Sequence, residues 1–262
     1  MWHYPQFDPV AISIGLVSIH WYALSYLVGI GLFWWTLNLR NRSQKLGWSK
    51  DAISDLIFYS VLGVILGGRI GYMLFYGYAS LVENPIIIFK VWQGGMSFHG
   101  GMLGVFLAVF LYARKYKRSF FQITDFAAPG IPLALGCGRI GNFINGELPG
   151  RVTDVSWAAI YPGEMVGRHP SSLYQAALEG PVLFALLWLF AARPRPTMAV
   201  SGMFLIGYGT LRFISEFFRQ PDDHMGFVAF HWMTQGQLLS LPMILFGLVF
   251  FTLAYKHQGT AS

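Results

Sequence analysis

Charge and cysteine are both scarce in this chain, and each scarcity excludes something. Of 262 residues only 11% are charged, against about 25% in an average soluble domain, so neither a soluble globular fold nor a charged disordered segment is expected. The one cysteine, Cys137, rules out an internal disulfide and supplies no metal-binding set, and reads as a small buried residue. His169, His224 and His231 read as loop or surface residues without metal-ligand spacing, and neither a metal nor another cofactor is expected. No Gly-x-Ser-x-Gly elbow, His-Glu-x-x-His helix or aspartate pair suggests a hydrolase. The N-terminus has no basic stretch before its first apolar run, so that run is read as a mature span rather than a signal peptide. No internal repeat is evident, which argues against an inverted-repeat transporter.

Apolar residues are abundant, at 55%, and fall in runs near the roughly 20 residues a helix needs to cross a bilayer core. An all-α, polytopic membrane protein follows, with residues 1–262 as a single membrane domain. The net charge of +6 does not point to nucleic acid, because the basic residues cluster between apolar runs. Arg40, Arg42, Lys45 and Lys50 form one cluster, Arg114, Lys115, Lys117 and Arg118 another, Arg193 and Arg195 a third, with Lys256 near the end. Alternate loops carry them, which by the positive-inside rule puts the N-terminus outside and the C-terminus inside.

About seven spans are predicted, at residues 19–39, 53–76, 96–112, from 122 into the stretch 136–151, 172–192, 200–218 and 237–255. Residues 1–17, rich in aromatics, are expected as an interfacial arm, and residues 146–171 as a small outer head too short to carry its own core. Pro129 and Pro132 predict a broken fourth span. Gly63, Gly67 and Gly71, spaced by four, predict a close helix–helix contact for the second.

The stretch Gly136–Arg151 places Arg139, Asn142, Asn145 and Glu147 where an apolar span should be finishing, and such groups are costly in a membrane unless paired or lining a wet cavity. On the sixth span Arg212, Glu216 and Arg219 share one helix face; either they form a self-neutralising group or they contribute to a site. Arg139 and His99 fall at a similar outer-leaflet depth if the spans are right. Guanidinium forks match phosphate oxygens, and a phospholipid headgroup is the nearest phosphate. Histidine, with an unperturbed pKa of about 6.5, is the side chain suited to proton transfer near neutrality, and His99 is the one here. Tyr22 reads either as a hydroxyl for the same cavity or as part of an aromatic belt. Arg69 either snorkels outward or faces the bundle interior. An anion transporter or channel lined by arginines would use the same charges, and a lipid-binding scaffold would keep the arginines without needing His99.

Taken together, Gly138-Arg139-Ile-Gly141-Asn142-Phe143-Ile-Asn145-Gly146-Glu147 through Gly150, the His99-Gly100-Gly101 block, Gly67 through Tyr72, His20-Trp21-Tyr22 and Arg212 through Arg219 resemble the bacterial prolipoprotein diacylglyceryl transferases, in the family order and over nearly the whole chain. The resemblance implies transfer of the diacylglyceryl group of phosphatidylglycerol to the lipobox cysteine thiol in a preprolipoprotein signal peptide. A thioether forms and glycerol phosphate is released, as the first step of lipoprotein maturation. It also implies a seven-helix fold in the inner membrane with a periplasmic head, on which side the charge pattern also puts the N-terminus, leaving the C-terminus cytoplasmic. Carried over residue by residue, the functional positions are Tyr22, His99, Arg139, Asn142, Glu147, Gly150 and Arg212, with Glu216 and Arg219 supporting. Of these, His99, Arg139, Arg212 and Tyr22 are expected to be catalytic and Asn142, Glu147, Gly150, Glu216 and Arg219 to bind substrate, together with Arg69. Pro149 departs from the pattern, where an aromatic residue is expected. The substrate brings its own thiol, so Cys137 is not expected to be a nucleophile.

Overall fold

A computed structural model describes residues 1–15, 17–221 and 225–259, and His224 lies outside them. The chain opens with a short strand, β1 (Trp2–His3), and a hairpin of β2 (Val10–Ile14) and β3 (Val17–His20). Helices α1 (Trp21–Gln44), α2 (Lys50–Phe75), α3 (Tyr78–Glu83), α4 (Phe98–Lys115), α5 (Phe120–Ala127) and α6 (Ile131–Ile144) follow. Strands β4 (Ala159–Ile160) and β5 (Gly167–Arg168) come next, then α7 (Ser171–Ala177), a π turn (Leu178–Val182), α8 (Leu183–Ala191), α9 (Ala199–Ser215) and α10 (Gln235–Gly259).

The structure is therefore mostly helical. Among the described residues four helical segments are long and apolar enough to cross a membrane, namely Trp21–Gln44, Lys50–Phe75, Ser171–Ala191 and Gln235–Lys256, while α6 and α9 are shorter apolar helices. The all-α expectation holds for this apolar body; the arm and head add short strands. With two-residue elements such as β1, β4 and β5, no period-2 hydrophobic pattern can develop in the sequence.

The chain divides into two units, Met1–Leu37 with Thr124–Ser262, and Asn38–Ile123. The second is built on the α2–α4 pair. A Cβ at Gly67 would run into the Gly100 carbonyl and one at Gly104 into that of Gly63, so only glycine permits this spacing; the predicted stripe of small residues is the contact itself. Ser49 caps α2 and Ser97 caps α4, each hydroxyl accepting from a backbone N–H three residues on. At the opposite end of α4, Lys115 pairs with Asp55 at 2.6 Å, and fully buried Tyr112 donates to the Ala52 carbonyl at 2.7 Å.

The helix break predicted from Pro129 and Pro132 is present, α5 and α6 being separated at Ala128–Gly130, with Pro132 in the first turn of α6. Asp125 on α5 accepts from the Met198 and Ser201 backbone N–H groups, both at 2.7 Å, and so caps α9. The π turn between α7 and α8 contains Pro181 and a non-helical Gly180 at φ −94°, ψ −106°. The head borrows its core from elsewhere. β1 pairs in parallel with β4, which pairs antiparallel with β5, and Tyr4 of the arm packs with Phe143, Ala159 and Tyr161. The Tyr4 hydroxyl donates to the Phe143 and Ile144 carbonyls at 2.5 and 2.9 Å, satisfying the end of α6.

Candidate functional site

Arg139 lies on α6 one turn beyond Gly136, and Gly136 makes the arrangement possible. A Cβ there would lie 3.0 Å from the Gly180 Cα, and one at Gly180 would lie 3.1 Å from the Gly136 Cα. The two backbones touch, and the residue before Gly180 is Glu179. Its carboxylate is fully buried and receives Arg139 Nε at 2.9 Å and Arg212 Nη1 at 3.2 Å. A π turn displaces one helical register, and such turns are frequent at functional sites.

Arg212 uses its other terminal nitrogen on Glu216 at 2.5 Å, and Glu216 in turn pairs with Arg219 at 3.3 Å. Glu216 is also fully buried and accepts from the Thr234 hydroxyl at 2.7 Å. Thr234 caps α10 with Gln237 in a reciprocal box, the Gln237 N–H donating to Oγ1 and the Thr234 N–H to the Gln237 side chain. Arg139, Glu179, Arg212, Glu216 and Arg219 thus form a ladder in which charges alternate in sign. The arginine side chains keep 20%, 13% and 12% exposure in chain order. They are the reachable positive faces of a group whose negative members are sealed.

A second polar group lies further along α6. Asn142 donates to Glu147 Oε2 at 2.7 Å and Asn145 to Oε1 at 3.1 Å. Tyr22 reaches it from α1, where Gly141 leaves room for its ring; its hydroxyl has Tyr26 at 3.1 Å and Asn142 as hydrogen-bonding neighbours, with Glu147 nearby. The hydroxyls of Ser171 and Ser172 bind the Leu148 and Glu147 carbonyls at 2.6 and 2.9 Å, tying this loop to the start of α7.

Gly150 is buried with both backbone groups engaged, its N–H on the His169 carbonyl at 3.0 Å and its carbonyl accepting from Arg168 at 3.1 Å. A Cβ would collide with the His169 and Phe218 carbonyl oxygens. Its requirement for glycine is explained by this crossing of the head over the end of α9. Pro149 is compatible with the same crossing, since only its carbonyl is used, accepting from the Gln220 N–H at 3.3 Å.

His99 and Arg69 belong to the other unit. His99 is exposed at the start of α4, its ring edge-on to Phe98. Arg69 faces inward and is 3% exposed. It donates to the carbonyls of Ile87 at 2.5 Å, Ile88 at 3.1 Å, Lys90 at 3.0 Å and Gly95 at 3.2 Å, and also to Gly94. Arg69 is the clamp of the loop that leads to His99.

Three residues of this region were not foreseen. Glu179 is the only charged residue of Ser171–Ala191, and the Gly-Pro pair that follows it announces a break in the helix; those were its signals. Tyr208, on α9 one turn before Arg212, lies beside Arg139 and Glu179 and carries no sequence signal of its own. Gln175, one turn before Glu179, is fully buried, and neither of its amide atoms finds a partner among the described residues. No group of three or more His, Cys, Asp or Glu able to hold a metal occurs among those residues.

The structure is thus that of a mostly helical protein with four segments long and apolar enough to cross a membrane and a buried, arginine-rich ladder of ion pairs. The family model described as prolipoprotein diacylglyceryl transferase matches residues 9–253, and the chain belongs to that family. It is 54% identical over 257 residues to a phosphatidylglycerol–prolipoprotein diacylglyceryl transferase of Ectopseudomonas mendocina, covering 97% of each chain. It is 57% identical over 246 residues to the protein so named in Chromohalobacter salexigens, covering 94% of this chain and 91% of the relative. A Pseudomonas aeruginosa protein of the same name is 53% identical over 98% of this chain and 97% of its own.

Proposed function

We propose that this protein transfers the diacylglyceryl group of phosphatidylglycerol to the lipobox cysteine thiol of a preprolipoprotein signal peptide. Family membership supports the reaction, and the observation that carries it to particular atoms is the ladder with Arg139 and Arg212 flanking buried Glu179. The sulfur attacks the glyceryl carbon next to the phosphate. A C–S bond forms, the C–O bond breaks, and its electron pair leaves on glycerol phosphate.

A free thiol, with a pKa of about 8.5, is mostly protonated near neutrality, so a base is required. His99 takes that role, and the thiol proton goes to its imidazole. Arg139 and Arg212 hold the phosphate and stabilise the charge that builds on the leaving oxygen, with Arg219 and Glu216 completing their ion pairs. Tyr22, Asn142 and Glu147 orient the headgroup, and the Gln175 amide, without a partner among the described residues, offers it a donor and an acceptor. Arg69 and Gly150 act through the backbone they hold.

In this reading the chain is one membrane domain with seven spans in the bacterial inner membrane. The arm of residues 1–17 and the head of residues 146–171 lie on the periplasmic side with the N-terminus, and the C-terminus is cytoplasmic.

The experiment is mass spectrometry of a lipobox peptide incubated with purified protein and phosphatidylglycerol vesicles. A diacylglyceryl increment on the peptide cysteine, absent with Arg139→Ala, is the expected result. An unmodified peptide with folded protein in several lipid mixtures would overturn the proposal and turn attention to anion flux.

A further inference from the structure

The ladder Arg139–Glu179–Arg212–Glu216–Arg219 contains three cations and two anions, joined by ion pairs of 2.5 to 3.3 Å. Three minus two leaves one net positive charge. Two arginines would be enough to bind a phosphate, yet each buried carboxylate here reduces the attraction the arginines exert. Glu179 is not there to cap a helix or hold a loop: both its oxygens are spent on the two arginines that flank it. Its placement uses a glycine–glycine backbone contact and a π turn.

We propose that Glu179 sets the charge of the site so that it accepts a phosphodiester, which carries one negative charge, and expels a phosphomonoester, which carries up to two. This rests on the transferase reading of the same site, and it assigns the carboxylates a part that phosphate binding alone would not need. A diester monoanion brings the ladder to neutrality. Cleavage of the C–O bond turns that diester into a monoester whose second ionisation, with a pKa near 6, adds another negative charge. The surplus charge then faces Glu179 and Glu216 at short range in a setting where charges are poorly screened, and the product leaves.

The test compares two soluble headgroup compounds, glycerophosphoglycerol as the diester and glycerol 1-phosphate as the monoester, by phosphorus NMR titration of the detergent-solubilised protein. The pH is set about two units above the monoester's second pKa of ~6. The wild-type protein is expected to bind the diester more tightly. Glu179→Gln, which keeps the shape and removes one negative charge, is expected to shift the diester-to-monoester affinity ratio at least about tenfold toward the monoester, as one added unit of charge at contact range implies. Glu216→Gln, on the same ladder, shifts it in the same direction.

A purely structural role would weaken both ligands together and leave the ratio unmoved. A wild-type preference for the monoester, or an unchanged ratio in the variants, overturns the proposal, and the wild-type measurement alone can do so if neither variant folds. Titration needs no turnover, so its failure is separate from a failure of peptide modification.

Discussion

Arg139 Nε donates to Glu179 Oε2 at 2.9 Å, joining the middle of α6 to a π turn in the following membrane helix. The carboxylate is fully buried, while the arginine keeps part of one face open. Arg139→Lys keeps the charge but loses the planar fork that serves Glu179 and an anion together. The expected outcome is a folded protein whose transfer rate falls at least about tenfold, the loss of one strong charge-assisted hydrogen bond. Arg139→Leu goes further. It leaves Glu179 with one arginine and is expected to cost about 3–5 kcal/mol, read as a lowered thermal midpoint in detergent.

Gly150→Ala places a methyl group against two carbonyl oxygens, those of His169 and Phe218. Overpacking against backbone costs roughly 1–3 kcal/mol or more, and the strain falls where the head crosses the end of α9. Limited proteolysis should find new cuts between residues 150 and 170, while the membrane helices remain intact.

Tyr161→Phe is expected to stabilise. The Tyr161 hydroxyl is buried without a partner among the described residues, and burial pushes its pKa up to about 12, while its ring stacks on Tyr4 at 4.9 Å. Phenylalanine keeps the stacking and removes the orphaned group, for a gain of about 1 kcal/mol, measured as a raised thermal midpoint.

Burial in the head holds the His169 imidazole below its ordinary pKa of 6.5, so protonation is easier in the unfolded head than in the folded one. The unfolded form then binds more protons as pH falls through 6.5, and stability drops over that window. The protection factors of amides across residues 150–170, taken relative to the intrinsic exchange rate at each pH, should fall between neutral and mildly acidic pH. His169→Gln should flatten that dependence.

Arg69→Met removes five hydrogen bonds to loop carbonyls. Exchange protection is expected to fall across residues 85–95, and transfer to slow as the backbone before His99 loosens. Arg69→Lys, a point charge with three donors, should restore only part of both.

The apolar body was legible in the sequence because long hydrophobic runs and basic clusters are one-dimensional signals. Arg212, Glu216 and Arg219 were legible as one face because helical spacing fixes it. Glu179 was not, since the direction it faces depends on a π turn that shifts the register, and a constant period of 3.6 residues cannot anticipate that. For Arg69 the sequence left two directions open. What settles it is a set of carbonyls, and every residue has a carbonyl, so the acceptors leave no trace in composition. The need for glycine at 150 arises from the carbonyls of His169 and Phe218, segments that cross it only in the folded chain, which is why the resemblance marked the position without explaining it.

The pairing of Trp2 with Ala159 has a temporal side. At a synthesis rate of about 5–20 residues per second, the first strand leaves the ribosome roughly 8–30 s before its partner exists. During that interval the arm has no β4 to pair with, and the aromatic ring of Tyr4 has neither Phe143 nor Tyr161 to cover it. Completion of the head therefore waits on delivery of the chain through α6, and a nascent protein stalled before residue 159 should present its first residues to proteases that the finished molecule keeps out.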